Sequence, residues 1–384
     1  MNFIDLRAKQ RIALSTYFFL SGICFATWAS RIPTIKTFFN LNDAELGTIL
    51  IAMPVSSLIG LPISGWLVSK FDSRIPLIFA FVFFAVSLAS IGFATSTFAL
   101  VLSISGFAFC LRILNISINT QSITLQKKYE KRVVGAFHGL WSTGGVIGVA
   151  FSTLMVKFNV PIHIHMLGIA IFGLIVALIT FRFTLKNDKS PSGNKLIISK
   201  PDPYIMFLGI LIFFGAVCEG GMFDWSGVYF KEVLKEDVFT YGYLMFMITM
   251  ALSRFFSDRL VSGIGILKTY FLSGSLITTG ILIAVVFPQF WTALFGFLLV
   301  GFGTAAIFPV TMSLAGLSKK YSPGMAISIV TTYAILGMLI GPPLIGYLSH
   351  AFGLEKAFLL FVLIGILFIP VSNKMFKLKV QQQE

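Results

Sequence analysis

This chain has few charged residues and very few acidic ones. Of its 384 residues, 11% are charged and only 15 are Asp or Glu, whereas 57% are hydrophobic. A soluble domain carries about 25% charged residues, so this chain has too little charge to cover a surface in water. The composition therefore excludes a soluble enzyme, and the high hydrophobic content excludes a disordered chain.

Cysteine is also scarce, and the motifs of several chemistries are missing. The three cysteines, Cys24, Cys110 and Cys218, fall inside apolar runs and lack metal-binding spacing. The sequence contains no phosphate-binding loop, no G-x-S-x-G and no H-E-x-x-H. We therefore expect no enzymatic activity, no cofactor and no metal, and we expect any transport to run on an ion gradient or on the solute's own gradient.

Long apolar runs dominate the sequence, each long enough for a membrane-spanning helix of about 20 residues. Because a backbone in lipid must satisfy its own hydrogen bonds, these runs predict helices. The predicted spans are 12–33, 44–69, 75–95, 98–125, 133–157, 161–184, 203–230, 238–258, 265–287, 289–317, 323–348 and 351–371. The predicted fold class is an all-α membrane protein with twelve transmembrane helices in the lipid bilayer.

The net charge of +14 comes mostly from short loops and so does not indicate a nucleic-acid partner. Of the 29 Lys and Arg, 22 lie at the two termini or in even-numbered loops, and five lie in odd-numbered loops. Basic loops favour the cytoplasmic side. The count predicts that both termini are cytoplasmic.

The longest connection divides the predicted spans into six and six. Residues 186–202 are basic and contain Pro, Ser and Gly, which is typical of a linker. We predict an N-terminal six-helix bundle at 1–185, a cytoplasmic linker at 186–202 and a C-terminal six-helix bundle at 203–384.

The two halves repeat one another in part. Gly22 and Trp28 on span 1 have the same six-residue separation as Glu219 and Trp225 on span 7. Gly-rich segments also occupy the corresponding spans 5 and 11. A parallel repeat of six helices is typical of a transporter whose site lies near the membrane midplane between the halves.

The loop after span 2 resembles the signature of the major facilitator superfamily. In segment 65–74, GWLVSKFDSR, Ser69 replaces the usual acid and Asp72 replaces the usual late glycine. The C-terminal counterpart keeps an acid–base pair as Asp258 and Arg259. Segment 337–346, GMLIGPPLIG, is similar to the superfamily's Gly-x-x-x-Gly-Pro pattern.

Four further blocks resemble one poorly characterised bacterial inner-membrane branch of that superfamily. They are 28–33 (WASRIP), Asn119 with Gln121, 138–145 (HGLWSTGG) and 219–226 (EGGMFDWS). The branch is related to fucose-permease-type sugar–proton symporters. The resemblance implies a monomeric, proton-coupled transporter of a small polar solute: a sugar, amino sugar, sugar acid or small peptide-like compound. An efflux pump for amphipathic drugs and a non-transporting receptor or scaffold remain alternatives.

Only four charged residues are placed well inside a predicted span. They are Arg31 and Arg112 in the N-terminal half and Glu219 and Asp224 in the C-terminal half. A charge at the bilayer centre costs about 2.5–3.5 kcal/mol on insertion scales, so these residues should face a cavity or a partner. We expect a cavity with one basic and one acidic wall.

Span 4 places three polar side chains on one helical face. Arg112, Asn115 and Asn119 are spaced by three and four residues. We predict that they bind the substrate. The alternative is hydrogen bonding between helices inside the N-terminal bundle.

Span 7 carries the candidate proton site. Glu219 precedes two glycines, Gly220 and Gly221, which predict local unwinding. A desolvated carboxyl near an arginine can carry a proton, so Glu219 is predicted to couple transport to protons; the alternative is a permanent Glu–Arg structural pair. Asp224 shares the coupling role or pairs with Arg31 as a gate.

The two tryptophans and His138 each allow two interpretations. Trp28 and Trp225 are predicted to stack on a ring of the substrate, or else to anchor at the membrane interface. His138 on span 5 is predicted to line the substrate site or to pack between helices. His163, His165 and His350 lie next to outer loops and are expected to be solvated.

The loop signatures predict an asymmetric cytoplasmic gate. Asp258 is expected to face the start of span 5 at 133–135, beside Lys131 and Arg132, where helix N–H groups favour an acid. Ser69 is expected to face the start of span 11 at 322–324 as an uncharged cap. Arg31, Arg259 and Asp72 are assigned to the gates as well. Alternatively, Asp258 pairs with Arg254 or Arg259 in its own loop.

Overall fold

The computed structural model describes residues 6–129, 133–186, 188, 202–321 and 323–381. In this part of the chain the regular secondary structure is helical throughout. The helices are α1 (Leu6–Ser30), α2 (Ile32–Phe38), α3 (Asp43–Leu50), α4 (Ala52–Lys70), α5 (Arg74–Phe93), α6 (Thr97–Gln126), α7 (Val134–Lys157), α8 (Ile162–Phe181), α9 (Pro203–Glu232), α10 (Tyr241–Ile264), α11 (Ile266–Val286), α12 (Phe290–Ala305), α13 (Ile307–Gly316), α14 (Pro323–Phe352), α15 (Leu354–Ala357) and α16 (Leu359–Gln381).

Three predicted spans are broken near a proline. Pro33, Pro54 and Pro309 each lie in the first turn of the second helix of a pair, in α2, α4 and α13. Proline has no N–H to bond to the residue four positions back, and its ring clashes with that residue's carbonyl. The preceding helix therefore ends three or four residues before each proline, at Ser30, Leu50 and Ala305.

Eleven helical stretches in the described part of the chain are long and apolar enough to cross a membrane. Each predicted span coincides with one helix or one broken pair. The one predicted span whose helix is not among these eleven stretches is 238–258, which forms α10 and carries Arg254 and Arg259 in its second half. The chain is therefore a multi-pass helical membrane protein, and the count of twelve transmembrane helices stays a prediction.

The first compact unit comprises Met1–Ile35 and Ala52–Lys195. Its helices α1 and α7 approach closely because glycines lie at their contact. A Cβ on Gly22 would lie 2.2 Å from the Trp141 carbonyl oxygen, and a Cβ on Gly144 would lie 2.2 Å from the Phe19 carbonyl oxygen. Small residues that let backbones approach are typical of helix packing in membranes.

The second compact unit comprises Lys36–Ile51 and Leu196–Glu384. Its helices α9 and α14 repeat the glycine contact of α1 and α7, since a Cβ on Gly337 would lie 2.6 Å from the Phe213 carbonyl oxygen. The Gly-rich segments of spans 5 and 11 thus have the same packing role in each unit. Most of the predicted linker, 189–201, lies outside the described residues.

The second unit includes α3, which the predicted division assigns to the N-terminal bundle. Gly47 of α3 packs against Pro343 and Gly346 of α14, with Cα atoms 3.2 Å from a Cβ built on Gly47. The Thr48 and Tyr347 hydroxyls lie 2.9 Å apart. The close fit of two glycines explains why α3 packs with α14, a contact that no local pattern in the sequence indicates.

A buried lysine holds the start of this segment in the second unit. Lys36 Nζ donates to the carboxylates of Asp43 and Glu232, and its side chain is only 8% exposed. Asp43 also accepts from the Ser349 hydroxyl of α14. Lys36 therefore joins α2, α3 and α9 through one ammonium group.

Candidate functional site

The buried Glu219 of α9 is ion-paired with Arg254 of α10. Arg254 Nη2 lies 2.9 Å from Glu219 Oε1, and the Glu219 residue is 4% exposed. The other carboxylate oxygen, Oε2, has no hydrogen-bond partner among the described residues. Arg254 therefore contacts one of the two carboxylate oxygens, and the opposite charge offsets part of the cost of burying this acid.

The sequence places Arg254 near the end of span 238–258, where it is grouped with the loop signature, but the helix extends further. Arg254 lies within α10, ten residues before the helix ends at Ile264. The second unit thus carries a base beside its buried acid, and the expected cavity with one basic and one acidic wall stays a prediction. The sequence signal was weak because Arg254 is followed by Asp258 and Arg259, which together resemble a loop signature.

Asp224 is the one residue of its helix segment that is not fully buried. Every other residue of the described stretch 215–230 is buried, whereas Asp224 is only half-buried. Within its own unit, no described residue donates a hydrogen bond to its carboxylate. A carboxylate on a membrane helix that receives no hydrogen bond from its own unit can accept a cation, a proton or a hydroxyl group of a solute.

Tyr243 of α10 links the environments of the two acids. Its hydroxyl is buried without a hydrogen-bond partner among the described residues, and the ring packs edge-on against Phe223 at 5.9 Å. It is near enough to Glu219 and Asp224 to interact electrostatically with both carboxylates. Sequence analysis missed Tyr243, although it is one of only ten tyrosines and lies on a predicted span.

Helix α9 runs unbroken through Gly220 and Gly221, so the predicted local unwinding is wrong. A Cβ on Gly221 would lie 2.5 Å from Phe361 Cζ and 2.6 Å from Ile345 Cδ1. This glycine makes room for neighbouring side chains rather than for an irregular backbone.

Arg112 of α6 bonds to Ser57 of α4 inside the first unit. Its Nε donates to Ser57 Oγ at 2.8 Å, and its stem packs on Gly60, whose Cβ would lie 3.2 Å from Arg112 Cβ. Among the described residues, none accepts a hydrogen bond from the two terminal nitrogens, Nη1 and Nη2. Ser57 thus orients the guanidinium and leaves its outer edge available.

The two asparagines on the same face of α6 are half-buried. Asn119 Nδ2 donates to the Asn115 carbonyl oxygen at 2.7 Å, one turn back in the same helix. This bond lies within α6 and does not join α6 to another helix. Their assignment to the substrate site stays a prediction.

Both candidate tryptophans are buried inside the protein. Trp28 is 1% exposed and Trp225 is 0% exposed. Trp225 Nε1 donates to the Pro342 carbonyl oxygen at 3.2 Å, and the Trp28 ring lies 6.3 Å from Phe107. Burial inside the fold argues against anchoring at the lipid interface, and stacking on a substrate stays a prediction.

His165 is buried, so the expectation that it is solvated is wrong. It is 2% exposed, and its Nδ1 accepts from Arg31 Nε at 3.1 Å. Arg31 Nη2 also donates to the Val160 carbonyl oxygen at 2.9 Å. These bonds hold Arg31 inside the first unit, and its predicted pairing with Asp224 stays a prediction. His163 and His350 are exposed, as expected.

The remaining candidates lie at helix ends. His138 is exposed, with its ring 5.4 Å from that of Phe18. Ser69 donates to the Trp66 carbonyl of its own helix at 2.8 Å, and Arg259 is exposed. The side chain of Asp258 lies outside the described residues, as do Lys131 and Arg132 beside its expected partner and Ser322 in the region expected to face Ser69.

One linker residue contacts the loop signature. Asp188 is buried, and its carboxylate accepts from the backbone N–H of Ser73 at 2.9 Å and from the Ser73 hydroxyl. It therefore supplies an acid at the start of α5, next to Asp72. No motif identifies this contact in the sequence, because it depends on where the linker folds back.

The described residues contain no group of three His, Cys, Asp or Glu that could hold a metal ion. The side chains gathered around Glu219 and Asp224 are instead suited to ion pairing, hydrogen bonding and proton exchange. These features, on a bundle of apolar helices, define a membrane protein that handles polar groups within the bilayer.

Comparison with known proteins identifies the family. The sequence model of the Major Facilitator Superfamily matches residues 14–279 and 246–380. Membrane protein MosC of Rhizobium meliloti is 30% identical over 359 residues, covering 92% of this chain and 87% of MosC. An uncharacterised MFS-type transporter of Yersinia pestis is 28% identical over 353 residues, covering 91% of each chain. The chain belongs to the Major Facilitator Superfamily.

Solved structures share the fold at low sequence identity. A variant of the nucleoside transporter NupG superposes with a TM-score of 0.78 at 13% identity, covering 96% of this chain and 100% of that structure. A bacterial homolog of the human lysosomal transporter Spinster gives a TM-score of 0.76 at 15% identity, covering 98% of this chain and 99% of that structure.

Proposed function

We propose that this chain is a secondary active transporter that moves a small polar solute by alternating access and couples this movement to protons through Glu219 and Asp224. Its solute class is a sugar, amino sugar, sugar acid or small peptide-like compound; the name of one structural neighbour adds nucleosides to the compounds worth testing. The protein acts as a twelve-helix monomer in the bacterial inner membrane, with both termini in the cytoplasm.

The observation that carries this proposal is the half-buried Asp224, whose carboxylate receives no hydrogen bond from a described residue of its own unit. It lies five residues after the ion-paired Glu219 on a helix segment that is otherwise buried. Because an in-membrane charge costs about 2.5–3.5 kcal/mol to insert, a chain that only needed to fold would gain by replacing it with an apolar residue. Binding a polar solute and binding a proton would each explain why this carboxylate is present.

The pair of acids supports a division of roles. Asp224 receives no hydrogen bond from a described residue of its own unit and takes up a proton or a polar group of the solute first. Glu219 is held by Arg254, so its protonation removes the attraction that keeps the two side chains together and lets Arg254 move. Arg112, oriented by Ser57, offers its two terminal nitrogens to oxygen atoms of the solute.

The test starts by finding the solute. Purified protein is screened against metabolites by thermal shift, because a ligand that binds the folded state raises the melting temperature. Uptake of each hit is then measured in proteoliposomes with and without an imposed pH gradient. We expect uphill accumulation only when the proton gradient is present.

Two variants separate coupling from binding. Glu219→Gln should lose uphill uptake but keep downhill exchange, since a neutral amide mimics the protonated acid and releases no proton. Asp224→Asn should lose uphill uptake as well. The control is Glu355→Gln, an exposed acid of the same unit, which should transport as wild type.

Three results would contradict the proposal. Uphill uptake by Glu219→Gln at the wild-type rate removes Glu219 from coupling. Extrusion of amphipathic dyes without flux of any polar solute favours a drug efflux pump. Absence of flux for every compound that shifts the melting temperature favours a receptor or scaffold.

A further inference from the structure

A groove runs along one flank of the first unit, and the transport proposal does not use it. It consists of two cavities that share Phe19 of α1. One cavity, of about 710 Å³, is lined by Arg7, Arg11, Ile12, Thr16, Tyr129 and Leu140. The other, of about 510 Å³, is lined by Ile23, Ile147, Phe151, Ile164, Gly168 and Phe172. We call the two together the α1 groove.

Helical spacing indicates that the two cavities are continuous. Ile12, Thr16, Phe19 and Ile23 of α1 are separated by four, three and four residues, which places them on one helical face. On α7, Leu140 lines the first cavity, and Ile147 and Phe151, seven and eleven residues later, line the second. Both helices therefore present a single side to both cavities.

The part of the groove around Phe151 is apolar and open to the outside of the unit. Ile147 is 46% exposed, Phe172 is 52% exposed and Ile164 is 54% exposed. On a membrane helix, exposed apolar side chains of this kind contact lipid chains. A groove with such walls has the surface chemistry that a hydrocarbon chain fits.

The other end of the groove is basic. Arg7 and Arg11 are exposed at the start of α1, and the Arg11 guanidinium lies 5.7 Å from the centre of the Tyr129 ring. From Arg11 to Ile23 the helix rises about 18 Å at about 1.5 Å per residue, close to the roughly 15 Å of one leaflet's hydrocarbon. The arginines and the apolar wall around Ile23 are thus separated by about the length of one lipid acyl chain.

We propose that the α1 groove binds an anionic phospholipid. The phosphate of the headgroup contacts Arg7 and Arg11, and one acyl chain lies along Phe19 and Ile23 toward Ile147. Basic pockets at the ends of transmembrane helices favour anionic headgroups, each base contributing about a fivefold gain in affinity. A zwitterionic lipid fits the apolar part equally well but gains less at the arginines.

Native mass spectrometry of the full-length protein tests this proposal. The probes are phosphatidylglycerol and phosphatidylcholine with identical acyl chains, titrated separately in detergent. We expect wild type to bind one phosphatidylglycerol more tightly than phosphatidylcholine. The double variant Arg7→Gln/Arg11→Gln should weaken phosphatidylglycerol binding by about 25-fold and leave phosphatidylcholine binding nearly unchanged.

A second variant tests the apolar part of the groove. A Cβ on Gly168 would have no atom within 4 Å, so Gly168→Leu fills the groove without a clash and should weaken binding of both lipids. The matched control is Gly263→Leu in the second unit, where a Cβ also meets no atom within 4 Å. The charge control is Lys9→Gln/Arg182→Gln, which removes two charges outside the groove.

Three outcomes would overturn the proposal. The first is equal affinity of wild type for the two lipids. The second is a loss in the charge control as large as that in Arg7→Gln/Arg11→Gln. The third is unchanged lipid binding in Gly168→Leu, which would show that the acyl chain does not bind in the groove. Melting temperatures of all variants are compared, so that a folding defect is not read as lost binding.

Discussion

Arg254 Nη2 and Glu219 Oε1 lie 2.9 Å apart, joining α10 to α9 through a carboxylate that is otherwise buried. The pair explains how an acid can persist inside an apolar helix, because the opposite charge offsets part of its desolvation. Both members of this ion pair belong to the second unit of the protein. Its energetics can be measured without knowing the solute.

A double-mutant cycle on Glu219 and Arg254 should give a clear coupling energy. Glu219→Gln leaves the Arg254 cation without its carboxylate and should lower the free energy of unfolding by about 1–3 kcal/mol, less than for a fully buried pair because the Arg254 side chain is 26% exposed. Glu219→Gln/Arg254→Gln should be more stable than Glu219→Gln alone. Thermal unfolding in detergent measures all four proteins, and simple additivity of the two single changes would argue against the ion pair.

The two adjacent glycines of α9 should respond in opposite ways to alanine. Gly221→Ala places a methyl group 2.5 Å from Phe361 Cζ and should destabilise the protein by about 1–3 kcal/mol through overpacking. At Gly220 the nearest atom is 3.8 Å away, so Gly220→Ala should be neutral or gain up to about 1 kcal/mol of helix propensity. The melting temperatures of Gly221→Ala and Gly220→Ala, each compared with wild type, measure the two effects. Equal losses in both would indicate that α9 needs flexible backbone there.

Lys36 should control how firmly α3 is held in the second unit. Lys36→Met keeps the length of the side chain but leaves the carboxylates of Asp43 and Glu232 without their shared ammonium group. Amide hydrogen exchange in α3 should accelerate about tenfold, equivalent to about 1.4 kcal/mol. Lys70→Met, at an exposed lysine of α4, is the control and should leave α3 unchanged. The same protection of α3 in both variants would show that glycine packing alone holds it.

Arg112 should lose solute affinity even when its charge is kept. Arg112→Lys removes the Nε bond to Ser57 and the planar pair of terminal nitrogens, so affinity for the solute found by screening should fall about 10- to 100-fold. Ser57→Ala should cause a smaller loss by releasing the guanidinium. Arg74→Lys, whose guanidinium lies over the Phe181 ring, is the control. Calorimetric affinities that match wild type in Arg112→Lys would assign Arg112 a purely structural role.

Much of the helical framework followed from the sequence. Long apolar runs and the placement of charge predicted every span that the structure forms as a helix, because hydrophobic length is a local property. The breaks before Pro33, Pro54 and Pro309 also had a local signal in proline, which the span predictions left unused. The family resemblance rested on short motifs and was confirmed by the match over most of the chain.

The partners of the candidate residues did not follow from the sequence. His165 was expected in water and is buried against Arg31, and Gly221 was expected to loosen a helix whose packing it permits. Both errors arose because the sequence does not show which helix packs against a given residue. Periodicity places a residue on a face, but it does not identify the neighbour that covers that face.

The sequence by itself determined that the chain is a helical membrane protein and that Glu219 and Asp224 are acids inside one span, because composition and hydropathy act residue by residue. Only the tertiary structure decided that Glu219 is paired with Arg254 while Asp224 is half-buried without such a partner in its own unit, and that Lys36 joins α3 to α9. The physical reason is that a charge is stabilised by groups close in space, and in this fold those groups are supplied by helices distant in sequence.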